Sequence, residues 1–151
     1  MRLPSFTDQI FIKAKRICTI QEKKRQVEEG IETELIGIIN YSVLALIQMK
    51  LKEDPRMEIP YEEIAAEYDG CIKEIRVLLS KKNHDYGEVW REMRVSSIID
   101  IILMKLLRIK QIEDNKGHSA LSEGVASSYQ DIVNYAVFAT IQLAEKEKAS
   151  I

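Results

Sequence analysis

The amino-acid sequence predicts an all-α protein, a bundle of about five helices in which one helical hairpin occurs twice. Three observations support this fold class. Apolar residues recur at helical spacing along most of the 151 residues. No stretch bounded by turn residues alternates between apolar and polar positions with the period of two that a half-buried strand requires. The chain also aligns with itself when Met1 is placed on Met93.

The internal duplication is visible in two aligned pairs of segments. Residues 1–20 match residues 93–112 at nine of twenty positions, and residues 29–48 match residues 123–142 equally often. Unrelated segments of this length share far fewer residues, and the period is too long for a solenoid. The shared polar pairs include Ser5 and Ser97, Asp8 and Asp100, Lys13 and Lys105, Arg16 and Arg108, Glu29 and Glu123, and Asn40 and Asn134.

Each repeat predicts two long helices joined by a polar loop. The first helix should cover about residues 5–21 and its copy residues 97–113, with Ser5 and Ser97 as N-caps. The second helix should cover residues 28–52 and its copy residues 122–148. Between the repeats, prolines indicate a linker over residues 53–60, and an amphipathic leading helix should follow over residues 61–82. We therefore expect one domain over residues 1–151, with a first unit at 1–52, a leading helix and loop at 61–92, and a second unit at 93–148.

Composition limits the class of protein. A net charge of −2, a pI near 5.8 and interleaved charges give no basic stripe for direct nucleic-acid binding. Cys18 and Cys71 lie far apart in sequence without metal-ligand spacing, which favours buried thiols in a reducing compartment. Charged residues such as Asp100 and Lys105 break the longest apolar runs, which we expect to fall short of the roughly 20 residues a bilayer requires. These features predict a cytoplasmic protein without a membrane span.

The first unit begins at Met1, without the leading helix that precedes the second unit. A hairpin that lacks its third helix leaves apolar surface uncovered, and a second chain would cover it. On this ground we expect a homodimer.

Polar residues form a stripe on each helix of the second unit. On the first helix they are Ser97, Asp100, Lys105, Arg108 and Gln111, and on the second they are Glu123, Ser127, Gln130, Asp131 and Asn134. We expect both stripes to face inward. One interpretation is structural, with internal salt bridges Asp100–Arg108 and Glu123–Lys105. The other is a polyphosphate site, in which carboxylates hold Mg²⁺ while lysine and arginine bind phosphate oxygens.

The segment of residues 81–91 concentrates polar and aromatic residues. Gly87 permits a tight turn, Tyr86 and Trp90 could stack on a base, and Lys82 and Arg91 could reach phosphate. The alternative is a helix end closed by basic residues, with the two aromatic side chains packed on the bundle.

These segments, read in order, resemble a family. KNHDYGEVWREMR, then SSIIDIILMKLLRIKQIEDNKG, SEG and YQDIVNYAVFA are similar to the bacterial and phage nucleotide modification associated domain. Its layout resembles all-α nucleotide pyrophosphohydrolases of the MazG and dimeric dUTPase type, helical bundles that hold Mg²⁺ on acidic residues. The resemblance implies a catalytic role for Glu123 and Asp131 and metal binding by Asp100, Glu123 and Asp131. It implies substrate binding by Lys82, Asp85, Tyr86, Trp90, Lys105, Arg108 and Asn134.

The sequence departs from the pyrophosphohydrolase pattern. Residues 97–111 carry no Glu-x-x-Glu, and Asn134 stands three residues after Asp131 where an aspartate would be expected. Three hypotheses follow: a Mg²⁺-dependent (deoxy)nucleoside triphosphate pyrophosphohydrolase, a non-catalytic nucleotide-binding module, and a purely structural dimeric bundle. Because Gly37 replaces Asp131 in the first unit, any site should lie mainly in the second unit.

Overall fold

The computed structural model describes residues 2–23, 27–51, 59–86, 89–115 and 119–149. These residues form five α-helices and one 3₁₀ turn and contain no strand, which confirms the all-α prediction. The elements are α1 (Leu3–Lys23), α2 (Val27–Lys50), α3 (Tyr61–Tyr86), the turn Val89–Glu92, α4 (Val95–Asp114) and α5 (Ser119–Ala149). Most of the predicted linker lies outside the described residues.

The first helix of each unit, α1 and α4, begins two residues before its predicted start. Helix α4 follows Arg94, whose backbone is extended and whose side chain makes no capping hydrogen bond, so Ser97 is not the N-cap. The helix begins earlier because Val95 is buried in the core. Helix α1 likewise begins before Ser5.

The end of α3 also differs from the prediction. Asp85 and Tyr86, expected in a loop, belong to the last turn of the helix. No proline or glycine interrupts residues 71–86, so nothing in the local sequence stops the helix at Lys82.

Four of the helices form a closed ring. Helix α1 packs against α2 and α4, and α5 packs against the same two helices, so each hairpin closes on the other. Helix α3 lies outside this ring, mainly on α2 and less extensively on α5. There the Tyr68 hydroxyl donates a hydrogen bond to Asn40 Oδ1 at 3.0 Å. The leading helix of the second unit therefore covers the first unit.

Apolar residues at helical spacing supply the core. In α4 the buried side chains all lie on one face: Val95, Ile98, Ile99, Ile102, Leu106 and Ile109. In α1, Ile10 and Ile17 are fully buried at the repeat positions of Ile102 and Ile109. Burial of an isoleucine side chain stabilises the fold by about 1.5–3 kcal/mol, so these repeated positions account for much of the bundle's stability.

Helix α2 is the most apolar helix. Within the described residues, the stretch Gly30–Lys50 is the one segment long and apolar enough to cross a membrane, with a mean hydropathy of 1.4. The expectation that no run reaches that length was therefore wrong. The core helix of a bundle has the same composition, and here α2 packs against α1, α3 and α5.

A buried hydrogen-bond network connects α1, α4 and α5. The Tyr129 hydroxyl and Thr7 Oγ1 lie 2.5 Å apart, and Thr7 Oγ1 donates to Glu113 Oε2 at 3.1 Å. Burial raises the pKa of the Glu113 carboxyl, the neighbouring charges of Asp8 and Asp114 raise it further, and the Thr7 hydrogen bond opposes them. Ionised Glu113 is therefore less favourable in the folded protein than in the unfolded chain.

This network predicts a pH dependence of stability. The folded state binds the Glu113 proton more tightly than the unfolded chain does. The resulting contribution to the unfolding free energy is fully present below the ordinary pKa of 4.5 and is lost as the pH rises through the raised pKa of the folded state. Glu113→Gln keeps an acceptor for Thr7 and removes the charge. We expect the variant to lack this fall in unfolding free energy with rising pH. At pH 7 its unfolding free energy should equal or exceed that of the wild type. Urea unfolding across this range measures it, with the exposed Glu32→Gln on α2 as the matched control; an unchanged fall in Glu113→Gln would contradict it.

Candidate site at the interface of α4 and α5

An ion pair joins the two helices of the second unit. Lys105 Nζ lies 3.1 Å from Asp131 Oδ2, with 29% and 21% of the side chains exposed. The Gln142 amide donates to the Met93 carbonyl at 2.9 Å, which fixes α4 and α5 as antiparallel neighbours in one register. The structure thus brings together two of the predicted site residues.

The salt bridges expected from the sequence are different from this one. Lys105 pairs with Asp131, where the structural interpretation had paired it with Glu123. Asp100 and Arg108 are eight residues apart on one helix, a rise of about 12 Å, which is too long for an ion pair. The predicted Asp100–Arg108 bridge was therefore wrong. The predicted Glu123–Lys105 bridge involves a side chain that lies outside the described ones, and it stays a prediction.

The polar stripe of α4 lies mainly on its solvent face. Asp100, Arg108 and Gln111 are exposed, so the expectation that this stripe faces inward was wrong for these residues. The opposite face of the helix carries the buried isoleucines and packs into the ring. On the neighbouring helix α1, burial raises the pKa of the Cys18 thiol, and the charge of Asp100 raises it further.

Asn134 is a buried polar residue without a polar partner. The residue is 4% exposed, and neither Oδ1 nor Nδ2 has a hydrogen-bond partner among the described residues. Leaving a buried amide unpaired costs about 1–3 kcal/mol. Its repeat counterpart Asn40 is exposed and accepts the hydrogen bond from Tyr68. The buried carboxamide is thus particular to the second unit, one helical turn from Asp131.

Trp90 is packed on the bundle, as the structural alternative proposed. Its ring stacks on Phe138 with centroids 4.5 Å apart and an interplanar angle of 6°. The Arg91 guanidinium lies 4.6 Å from the ring centroid, and the Trp90 carbonyl accepts a hydrogen bond from Gln142. Trp90 is buried, so in this conformation its ring presents no free face on which a base could stack as predicted.

Several predicted residues fall outside the described side chains. These are Lys82, Asp85, Tyr86 and Glu123, whose main chains belong to α3 and α5. Their predicted roles in substrate and metal binding stay predictions.

The predicted Mg²⁺ ligands do not converge among the described residues. No group of three histidine, cysteine, aspartate or glutamate side chains in that part of the chain could hold a metal ion. Asp100 lies 140° around α4 from Lys105, the partner of Asp131, by the geometry of a regular helix. The main chain of Glu123 lies about 12 Å along α5 from Asp131. Because the side chain of Glu123 lies outside the described ones, the Mg²⁺ site stays a prediction.

The first unit has a related cluster with a different carboxylate. Lys13 Nζ and Arg16 Nη1 lie 3.5 Å and 3.6 Å from the two oxygens of Glu34. Gly37 occupies the position of Asp131 in the repeat. Both units thus retain a cation–carboxylate contact between their helices.

A separate cavity of about 280 Å³ lies between α2, α3 and α5. The sequence-based prediction missed its charged residues Lys50 and Glu74, because nothing in the sequence placed α3 on α2. Lys50 Nζ pairs there with Glu74 at 3.4 Å and Glu67 at 3.7 Å, and both charges raise the pKa of Lys50, Glu74 the more. The other lining residues are Leu46, Met49, Cys71, Ala126 and Gln130.

Sequence comparison identifies the family. The profile of the nucleotide modification associated domain 1 matches residues 1–49 and 82–143, about three quarters of the chain. The chain belongs to this family. The matched ranges coincide with the first unit and with the second unit plus the segment before it. No curated protein and no solved structure matches the chain.

The Lys105–Asp131 pair should contribute measurably to stability. Lys105→Met, Asp131→Asn and the double variant form a double-mutant cycle, and we expect a coupling free energy of about 1 kcal/mol because both side chains are largely buried. The same cycle on the more exposed pair Lys110–Asp8, 3.6 Å apart, should give a smaller value. Urea unfolding measures both couplings; equal values would refute the importance of the α4–α5 pair.

Proposed function

We propose that the protein binds a nucleotide at the interface of α4 and α5 in its second unit. The observation that carries this proposal is Asn134, a buried carboxamide whose donor and acceptor both lack a described partner. Side-by-side donor and acceptor groups are what a nucleobase edge requires, and asparagine pairs with base edges in this way. An energetic cost borne by the free protein is recovered when a ligand supplies the missing hydrogen bonds.

The cations of α4 fit the phosphate end of such a ligand. Lys105 and Arg108 are one helical turn apart, and Arg108 is exposed and forms no ion pair with any described residue. Arginine and lysine bind phosphate oxygens through charge-assisted hydrogen bonds. In the antiparallel register, Arg108, the Lys105–Asp131 pair and Asn134 follow one another along the interface, each about 5 Å from the next along the axis. That order suits phosphates at one end and a base at the other.

The family adds independent support. Its description, nucleotide modification associated domain 1, connects it with nucleotides, and the matched range 82–143 includes these residues. Because Asn134 is almost inaccessible, binding requires the structure around it to open. We therefore expect association to be slower than diffusion.

Asn134→Leu separates this function from stability. Leucine removes an unpaired polar group, so the unfolding free energy should stay equal or rise by about 1 kcal/mol, while nucleotide binding is lost. Calorimetric titration with the four deoxynucleoside triphosphates in EDTA measures binding, and urea unfolding measures stability. Asn40→Leu, at the equivalent position of the first unit, is the matched control and should retain binding. Undiminished binding by Asn134→Leu, or no binding by the wild type, would refute the proposal.

Pyrophosphate hydrolysis is a second proposal, favoured by Asp131 as a half-buried carboxylate beside a phosphate-binding lysine. Here Asp131 would orient the attacking water. Incubating the protein with each deoxynucleoside triphosphate and Mg²⁺ should then release pyrophosphate, and Asp131→Asn should lower the rate at least 100-fold. No release above an Asp131→Asn control would leave binding without turnover as the function.

The homodimer also stays a proposal. Ile12 and Met104 occupy equivalent positions of the repeat and are both exposed, which gives α1 and α4 an apolar outer surface for a second chain. Sedimentation velocity decides it, and a monomer at high protein concentration would count against it.

A further inference from the structure

The first unit repeats the cations of the proposed phosphate site. Lys13 and Arg16 stand at the positions of Lys105 and Arg108, one helical turn apart on α1. In the first unit, however, both cations contact one carboxylate. Glu34 Oε2 lies 3.5 Å from Lys13 Nζ, and Glu34 Oε1 lies 3.6 Å from Arg16 Nη1. A carboxylate between an ammonium and a guanidinium group occupies the place that a phosphate would take.

The carboxylates of the two units differ by one helical turn. The repeat alignment places Glu34 opposite Ser128, and Gly37 opposite Asp131. In the second unit the residue level with Arg108 is therefore a buried serine, which cannot neutralise the guanidinium. The position of the carboxylate decides whether the arginine is already paired.

Gly37 makes the arrangement of the first unit possible. The Lys13 side chain passes directly over it, and a Cβ atom at position 37 would lie 2.7 Å from both Cδ and Cε of Lys13. The absence of a side chain lets Lys13 lie flat on α2 and reach Glu34. The Lys13 and Glu34 side chains are 21% and 15% exposed, so their contact is only weakly screened, whereas the Arg16 side chain is 61% exposed and its contact is the more easily broken.

We propose that the first unit holds a second, latent phosphate-binding site that Glu34 fills from within the chain. The ligand class, a polyphosphate or the phosphates of a nucleotide, rests on the function proposed above. Removing the Glu34 charge releases Lys13 and Arg16 to an external phosphate. The protein as it stands should bind one phosphate ligand per chain, and a chain without this carboxylate should bind two.

Calorimetric titration of the full chain with inorganic tripolyphosphate tests this proposal. Glu34→Gln should raise the number of bound ligands from one to two per chain. Glu32→Gln, an exposed glutamate on the same helix, is the matched control and should leave the number at one. The double variant Glu34→Ser with Gly37→Asp transfers the arrangement of the second unit and should also bind two. Thermal unfolding confirms that each variant is folded; if Glu34→Gln is not, the double variant decides.

The outcomes separate this proposal from the proposed function. One ligand in the wild type and two in Glu34→Gln support both. One ligand in each overturns the latent site alone, and so does a wild type that already binds two. No ligand in the wild type but one in Glu34→Gln refutes the site in the second unit and supports the latent one. No ligand in either overturns both.

Discussion

A helical hairpin buries only one side of its two helices, and in this protein each hairpin covers the open side of the other. The packing of α2 against α5 and of α1 against α4 closes the ring, so the core exists only when both units are present. The fully buried isoleucines at repeated positions, such as Ile10 and Ile102, are a consequence of this requirement. The polar residues of each unit are held between helices that this apolar packing has already fixed.

Although the two units share this packing, their equivalent lysine and arginine residues have different ion-pair partners. Lys13 and Lys105 are equivalent, yet one contacts a glutamate and the other an aspartate one turn further along the second helix. A regular helix advances about 5.4 Å per turn, so this displacement changes which neighbouring cation the carboxylate reaches. Arg16 is paired as a result, whereas Arg108 has no ion pair with the described residues. A small change in sequence thus gives two surfaces of different electrostatic character on one scaffold.

The sequence predicted the fold better than the site, for physical reasons. The helices follow from local apolar spacing and from the duplication, which are both readable along the chain. The Lys105–Asp131 contact depends on the register between α4 and α5. Registers one helical turn apart give the same polar stripe, so the sequence alone does not single out Asp131 as a partner of Lys105. A polar stripe in the sequence also does not show whether it faces solvent or the core. Asp100 and Asn134 both interrupt apolar helices, but one is exposed and the other is buried. The position of α3, whose Tyr68 bonds to Asn40 and which lines the cavity, depends on long-range packing that no local pattern specifies.

The ring of four helices has a further consequence because both hairpins belong to one chain. Two identical hairpins could associate into the same ring as separate molecules, but every substitution would then appear twice. A covalent connection keeps the hairpins at a high effective concentration regardless of dilution. It also lets one hairpin lose a charge while the other keeps it. The difference between Gly37 and Asp131 is a departure from symmetry that a pair of identical hairpins could not maintain.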